Sequence, residues 1–486
     1  MKKDYSYKRI RSLIDQYGYL YSAKKCIMMY IAATVFITMV TCIYGINIIF
    51  LPFILGTLLV AFPILLNTHY SLLHRLEQFS DVDIYIHQMA YSFKRQPKII
   101  VALEDTKKVV SSKMAAEIDR ALKMLEYAQS ERVYEEAFKE IEKKYFCSRI
   151  ITLHKFLVNI EMKGGGYSNS LDILILDFDR WVKQVYKHQI DIKRIRNNSI
   201  IGMALSFILA SVSVIVNIVL SGSSQVNIDI TKEVLYQVAS VLFIILCILY
   251  FVYIQMKCNR DWLQRDSSPE NIQKDYNMAF NTDIKKILLK SVPLYILIGI
   301  MCIVFFMLRL QIFAVLGLAV LAIFIMAPAM NKKSAYKRVR RELYYAFSDW
   351  LRDVALNLSE EPLQVAIEDT YDNCGYLIKQ SLEKFIYSIE DNPSDVRPYY
   401  DFLSEYNIAD ISSTVKTLYS LSNQDAECAD STINVLIERN YSVMGRYEQL
   451  KNRDVISVMK FAEYIPTLFV SFKVAVDMIL VIINYL

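Results

Sequence analysis

Apolar positions along this chain of 486 residues follow two patterns, and the alternation between them outlines the fold. In seven stretches, near 26–44, 46–66, 199–220, 234–254, 291–308, 310–328 and 461–486, apolar residues run almost unbroken. Each approaches the ~20 residues a helix needs to cross a bilayer, and Ile200 to Leu220 holds no charge. Elsewhere apolar residues recur at steps of three and four. Leu171, Leu174, Ile175, Phe178, Trp181, Val182 and Val185 form one stripe; Leu343, Phe347, Trp350, Leu351, Val354, Ala355 and Leu358 form another. That spacing puts each set on one face of a helix. The first polar block has no convincing run with the two-residue period of a strand. The expected class is all-α, a polytopic membrane protein with about seven transmembrane helices and two cytosolic helical bundles.

These patterns divide the chain into 1–66 (cytosolic N-terminus and first hairpin), 67–198 (first cytosolic bundle), 199–254 (second hairpin) and 255–290 (cytosolic linker). Then come 291–328 (third hairpin), 329–460 (second bundle) and 461–486 (last span). A block of about 130 residues suffices for a core of about six helices. The turn-like Asp391-Asn392-Pro393-Ser394 lies inside the second block. Two stretches predict helices shared between membrane and bundle. From Tyr167 to Leu220 only Asn197-Asn198-Ser199 suggests a break, giving a rod of roughly 80 Å. Leu310 to Leu358 does the same, with Pro328 as a candidate kink. Such rods transmit a push or a rotation, or they merely continue because chains are economical; both readings stand. The linker, with Ser267-Ser268-Pro269 and mixed charge, is expected along the membrane surface.

The two polar blocks carry the same short sequence. Residues 101–106 read Val-Ala-Leu-Glu-Asp-Thr and 365–370 read Val-Ala-Ile-Glu-Asp-Thr, and Phe-Ser-Asp precedes each copy at 79–81 and 347–349. The recurrence in the same architectural place indicates two copies of one module. The spacing from Phe to the first Val differs by four residues, which predicts one helical turn gained or lost.

Charge sets the expected orientation. Lys2, Lys3, Lys8, Arg9 and Arg11 precede the first span; Lys183, Lys187, Lys193, Arg194 and Arg196 precede the third. The linker is basic too, as are Lys332, Lys333, Lys337, Arg338, Arg340 and Arg341, whereas the opposing loops hold little beyond Lys232 and Arg309. By the positive-inside rule the N-terminus and both polar blocks are cytosolic and the C-terminus faces out. The net charge of +5 is then a topology signal, and no nucleic-acid module is recognisable. The first apolar stretch is too far from the start, and too soon followed by another, to be a cleaved signal peptide. The eight cysteines are scattered without metal or redox spacing.

Catalytic chemistry is missing from the motifs. There is no Gly-x-x-x-x-Gly-Lys-Ser/Thr, no His-Glu-x-x-His and no Gly-x-Ser-x-Gly, and the five histidines stand alone. An enzyme or a cofactor is not expected. Three polar features remain. Glu104-Asp105 and Glu368-Asp369 read either as first-turn acids favoured by the helix dipole, or a solvated face, or as a charged contact for a partner. Gly164, Gly165 and Gly166 read as a helix break, with Ser or Asn capping the next helix, or as a docking turn. Lys473 and Asp477 lie four apart in the last span, where ionised groups normally pair or face protein or water. They read as a mutual pair with snorkelling, or as a packing or partner contact.

The order of parts resembles the inner-membrane platform proteins of type II secretion and type IV pilus machines, the secretion system protein F family. The likeness is nearest to the paired platform proteins of tight-adherence pili, here fused. Arg95-Gln96-Pro97 leading into Val-Ala-Leu-Glu-Asp-Thr carries it, as does Glu161-Met162-Lys163-Gly164-Gly165-Gly166-Tyr167 with the helix through Trp181. Asn423-Gln424-Asp425-Ala426-Glu427-Cys428 stands where block two would have its glycines, and the second module has no final span of its own, giving seven rather than eight. The resemblance implies a non-catalytic platform in the bacterial cytoplasmic membrane. Its implied partners are a cytosolic hexameric assembly ATPase and pilin-like membrane subunits, alongside the lipid bilayer and further copies of the chain. A duplicated transporter or permease, and a membrane scaffold or receptor acting by binding, are the competing readings.

Overall fold

The computed structural model describes residues 7–19, 22–126, 131–164, 168–223, 230–263, 269–307, 311–358, 362–372, 374–392, 395–422 and 429–485. Every regular element among them is helical. The chain divides into two compact units, Met1–Gln264 with Asp454–Leu486, and Arg265–Arg453.

The first unit begins with α1 (Tyr7–Gln16) and α2 (Ala23–Ile43), and the chain then turns at Tyr44–Asn47 into α3 (Leu51–Arg95). The Asn47 side chain caps the intervening 3-10 turn by accepting from the Ile49 amide, and Pro52 opens α3 where no amide donor is needed. α3 is 45 residues long. Its apolar first half continues without interruption into the polar block, a continuity that the sequence reading had placed only in later spans. α4 (Ile99–Lys107), α5 (Ser112–Leu125), α6 (Glu131–Lys144) and α7 (Ser148–Lys163) follow, each packed on its predecessor, with α7 closing back on α3. α8 (Ser168–Ser223) then runs 56 residues, and α9 (Val234–Cys258) returns.

The second unit holds α10 (Pro269–Tyr276), a π-turn at Asn277–Asn281, α11 (Ile284–Lys290) and the apolar α12 (Val292–Met307). α13 (Gln311–Asn357) passes through Pro328 and carries the second stripe: Leu343, Phe347, Trp350, Leu351, Val354 and Ala355 are all buried. Around it pack α14 (Leu363–Glu368) and α15 (Tyr376–Asp391), followed by α16 (Arg397–Asp401) and α17 (Ala409–Ser422). α18 (Ala429–Ala462) begins in this unit and ends in the first, where α19 (Ile465–Tyr485) packs against α8 and α9. The last apolar helix, expected at 461–486 after the second polar block, therefore belongs to the first unit.

Among the described residues five helices are long and apolar enough to cross a membrane: Cys26–Ile43, Ile48–Arg95, Leu174–Val216, Val234–Cys258 and Ile456–Ile483. All five belong to the first unit. The third hairpin expected at 291–328 falls on α12, which at 16 residues is short for a span, and on the start of α13; its turn at 308–310 lies outside the described residues. α9 is the most enclosed of the five, with 56% of its apolar window buried against 22–33% in the others, so it forms the middle of the group.

Both copies of the repeated hexapeptide form a short helix after a long one, and their shared apolar frame is core. Ala102, Leu103 and Thr106 are fully buried, and so, to within 2%, are Ala366, Ile367 and Thr370. The four-residue spacing difference is distributed. Sixteen residues separate Phe79 from the end of α3 and only ten separate Phe347 from the end of α13, while the connection to the short helix lengthens from three residues to five.

Ala102→Leu or Ala366→Leu, each adding volume where no space exists, is expected to destabilise its own unit by about 1–3 kcal/mol. Glu104→Gln on the exposed face should change stability by about 0.5 kcal/mol or less. Denaturant unfolding of the purified protein, read by unit-specific proteolysis, measures both.

Candidate functional site

The repeated acids sit at the far end of their helices. α4 starts at Ile99 and α14 at Leu363, so Glu104-Asp105 and Glu368-Asp369 occupy the C-terminal turn or its cap. The first-turn reading is overturned, since an acid there opposes the helix dipole. The signal was present in the sequence: Pro97 and Pro362 each stand just before the helix, where proline marks a start. The two pairs also differ. Asp105 accepts from Ser92 Oγ at 2.8 Å, Arg95 Nη2 at 2.5 Å and Lys108 Nζ at 3.1 Å. The Ser92 hydrogen bond, then Lys108, hold its carboxyl below the ordinary carboxylate value. Glu104, Glu368 and Asp369 are exposed. Asp105 thus staples the end of α3 to α4, and only the other three face outward.

The aspartates of Phe-Ser-Asp diverge similarly. Asp81, 7% exposed, accepts from Ser111 Oγ at 2.7 Å and from Tyr145 OH at 3.2 Å, tying α3 to the start of α5 and the end of α6. Asp349 instead pairs with Arg352 at 2.6 Å on its own helix. Gly164 ends α7 with φ +73°, a left-handed conformation that favours glycine, and it is exposed with open space around it. Gly165 and Gly166 lie outside the described residues.

Lys473 and Asp477 do not snorkel. They are 0% and 1% exposed and paired with each other on α19. Asp477 Oδ2 also accepts from Ser213 Oγ of α8 at 2.8 Å, and the Lys473 ammonium lies 4.7 Å from the Tyr236 ring and 5.3 Å from the Tyr44 ring. Those rings are fixed by their hydroxyls: Tyr44 donates to Phe207 O and Tyr236 to Tyr44 O, both at 3.0 Å. Gln237, 6% exposed, ties the turns beyond, donating to Gly45 O and Thr231 O and accepting from the Asn47 amide. Sequence reasoning missed Tyr44, Tyr236, Ser213 and Gln237. Tyrosines at span ends ordinarily mark the membrane interface, so nothing distinguished these two.

A second buried network lies in the first bundle. Glu142 Oε1 can only accept, so His154 Nδ1–H donates to it at 2.7 Å, leaving Nε2 to accept from Tyr85 OH at 2.7 Å. Phe138 stacks on the imidazole with centroids 3.7 Å apart. Among the described residues no group of His, Cys, Asp and Glu is arranged to hold a metal ion. Compared with protein-family models, curated proteins and solved structures, the chain matches none.

Burial holds the His154 imidazole below its ordinary value, although Glu142 pulls the other way. Between about pH 7 and 5 the unfolded chain therefore takes up a proton that folded His154 refuses, and stability falls with pH. His87 has the opposite sign. The Asp83 carboxylate, accepting from Nδ1–H at 2.9 Å, raises its value, so its stabilisation is present in acid and fades as pH rises through that raised value. His87→Gln should steepen the loss of first-bundle stability from pH 7 to 5, measured by urea unfolding across that range. Tyr85→Phe should cost about 1–3 kcal/mol at neutral pH by leaving His154 Nε2 without a donor.

Proposed function

We propose that this protein is a non-catalytic membrane platform of a type II secretion or type IV pilus-like assembly machine. It couples a cytosolic hexameric ATPase to the extraction and polymerisation of pilin-like subunits. The observation that carries the reading is that each helical bundle shares a long helix with an apolar stretch: α3, which enters the first bundle from one, α8, which leaves that bundle into one, and α13, which enters the second. A rigid helix common to both environments passes displacement from a cytosolic motor to the membrane with little loss in bending. The parallel element order supports duplication: a long helix, a short one carrying the repeated hexapeptide, then shorter helices and a long exit helix.

In this reading α12 and the apolar start of α13 form the third hairpin, for seven spans, with the N-terminus and both bundles cytosolic and the C-terminus outside. The exposed acids form a docking face on each bundle separately, Glu104 on the first and Glu368 with Asp369 on the second, and the exposed Gly164 turn is a further docking element of the first. A transporter would place polar groups along a path through the bilayer, whereas the buried charges Lys473 and Asp477 are sealed and mutually paired.

Purification from native membranes in mild detergent is expected to bring down a hexameric ATPase. Its absence, with solute uptake by proteoliposomes of the pure protein, would overturn the proposal. Glu104→Lys and Glu368→Lys/Asp369→Lys are expected to block filament assembly or secretion while the protein accumulates normally. Asp105 is excluded from that test because its loss would unfasten α3 from α4. Impermeant maleimide should label a unique cysteine placed at exposed Ser413 only after the cell is opened; labelling from outside would refute the topology.

A further inference from the structure

The pocket around Lys473 is built from parts that have no role in the coupling just described. Tyr44 comes from the end of α2, Ser213 from α8 and Tyr236 from α9, while Lys473 and Asp477 come from α19. Two electron-rich rings and one carboxylate converge on a single ammonium from three sides, the arrangement by which proteins bind free alkylammonium ligands. The rings are anchored by hydroxyl bonds within α2, α8 and α9, and α19 contributes nothing to those bonds. Asp477 Oδ1 is enclosed and has no hydrogen-bond partner among the described residues, so the carboxylate is turned to the ammonium and Ser213 alone.

We propose that Tyr44, Tyr236, Ser213 and Asp477 form an ammonium-binding cage whose resident ligand is the side chain of Lys473, and that this cage fixes where α19 seats. The ligand class is a primary alkylammonium, supplied here by the chain itself. Apolar packing would hold α19 in a bilayer in many rotations and registers; the cage accepts one.

The native reporter is Cys247 of α9, 3% exposed and in the same buried cluster as Val470 and Leu480 of α19. The experiment uses the full chain in detergent with the other cysteines changed to serine, and follows N-ethylmaleimide labelling of Cys247. Lys473→Ala should be labelled about ten-fold faster or more, because it leaves a buried carboxylate unpaired. Adding n-propylamine, which matches the missing segment, should restore protection, whereas n-propanol should not. The reversed pair, Lys473→Asp with Asp477→Lys, keeps the i,i+4 ion pair but moves the cation away from the rings, and should also be labelled fast. Lys473→Ala that stays protected without amine, rescue by neither compound, or equal rescue by propanol overturns the cage. So does a reversed pair as protected as the wild type, since pairing alone would then seat the helix.

Discussion

A peptide group placed in hydrocarbon must already have its hydrogen bond, and only a helix makes that bond from within its own segment. Much of this architecture follows. An apolar stretch cannot stop being helical until its backbone has somewhere else to bond, so α3, α8 and α13 run 45, 56 and 47 residues, each with one end inside a polar bundle: the C-terminal end of α3 and of α13, and the N-terminal end of α8. Asn197-Asn198-Ser199 illustrates the force of the constraint. Such a polar trio suggests a loop in isolation, yet it sits in the middle of α8, with Ser199 fully buried and both asparagines turned outward.

The hexapeptide repeat separates what packing retains from what it leaves free. Ala102 and Ala366, Leu103 and Ile367, and Thr106 and Thr370 share complete or near-complete burial. Each threonine also turns its hydroxyl inward, to Ala102 O in one copy and Ile367 O in the other, and Thr370 further accepts from Trp350 Nε1 at 2.9 Å. Between these fixed points Asp105 and Asp369 have gone separate ways, one into a salt-bridge cluster and one to solvent. A buried small residue has few substitutes of the right volume, which accounts for an alanine at both Ala102 and Ala366.

Helical class, the apolar stretches, both amphipathic stripes and the uninterrupted rods α8 and α13 were legible because each rests on local periodicity, whereas the continuity of α3 through Pro63 was not. The position of the acids within their helices is written in Pro97 and Pro362, each of which marks a helix start just ahead of the repeat. The neighbours of α19 were not legible. Lys473 and Asp477 announce a pair through their own spacing, whereas Tyr44, Ser213 and Tyr236 lie more than two hundred residues earlier and look like ordinary span residues. Local pattern fixes what an element is; long-range placement depends on complementary surfaces that one sequence does not display.

The late arrival of α19 has a consequence for biosynthesis. About two hundred residues separate the end of α9 from the start of α19, which at ~5–20 residues per second is roughly 10–40 s of translation. Throughout that interval the recess formed by α8, α9 and the α2 turn has no cap, while an entire second unit is made. Until α19 is made, Tyr44, Ser213 and Tyr236 have neither the ammonium nor the carboxylate that they face in the finished unit. Completion of the first unit is thereby tied to completion of the second.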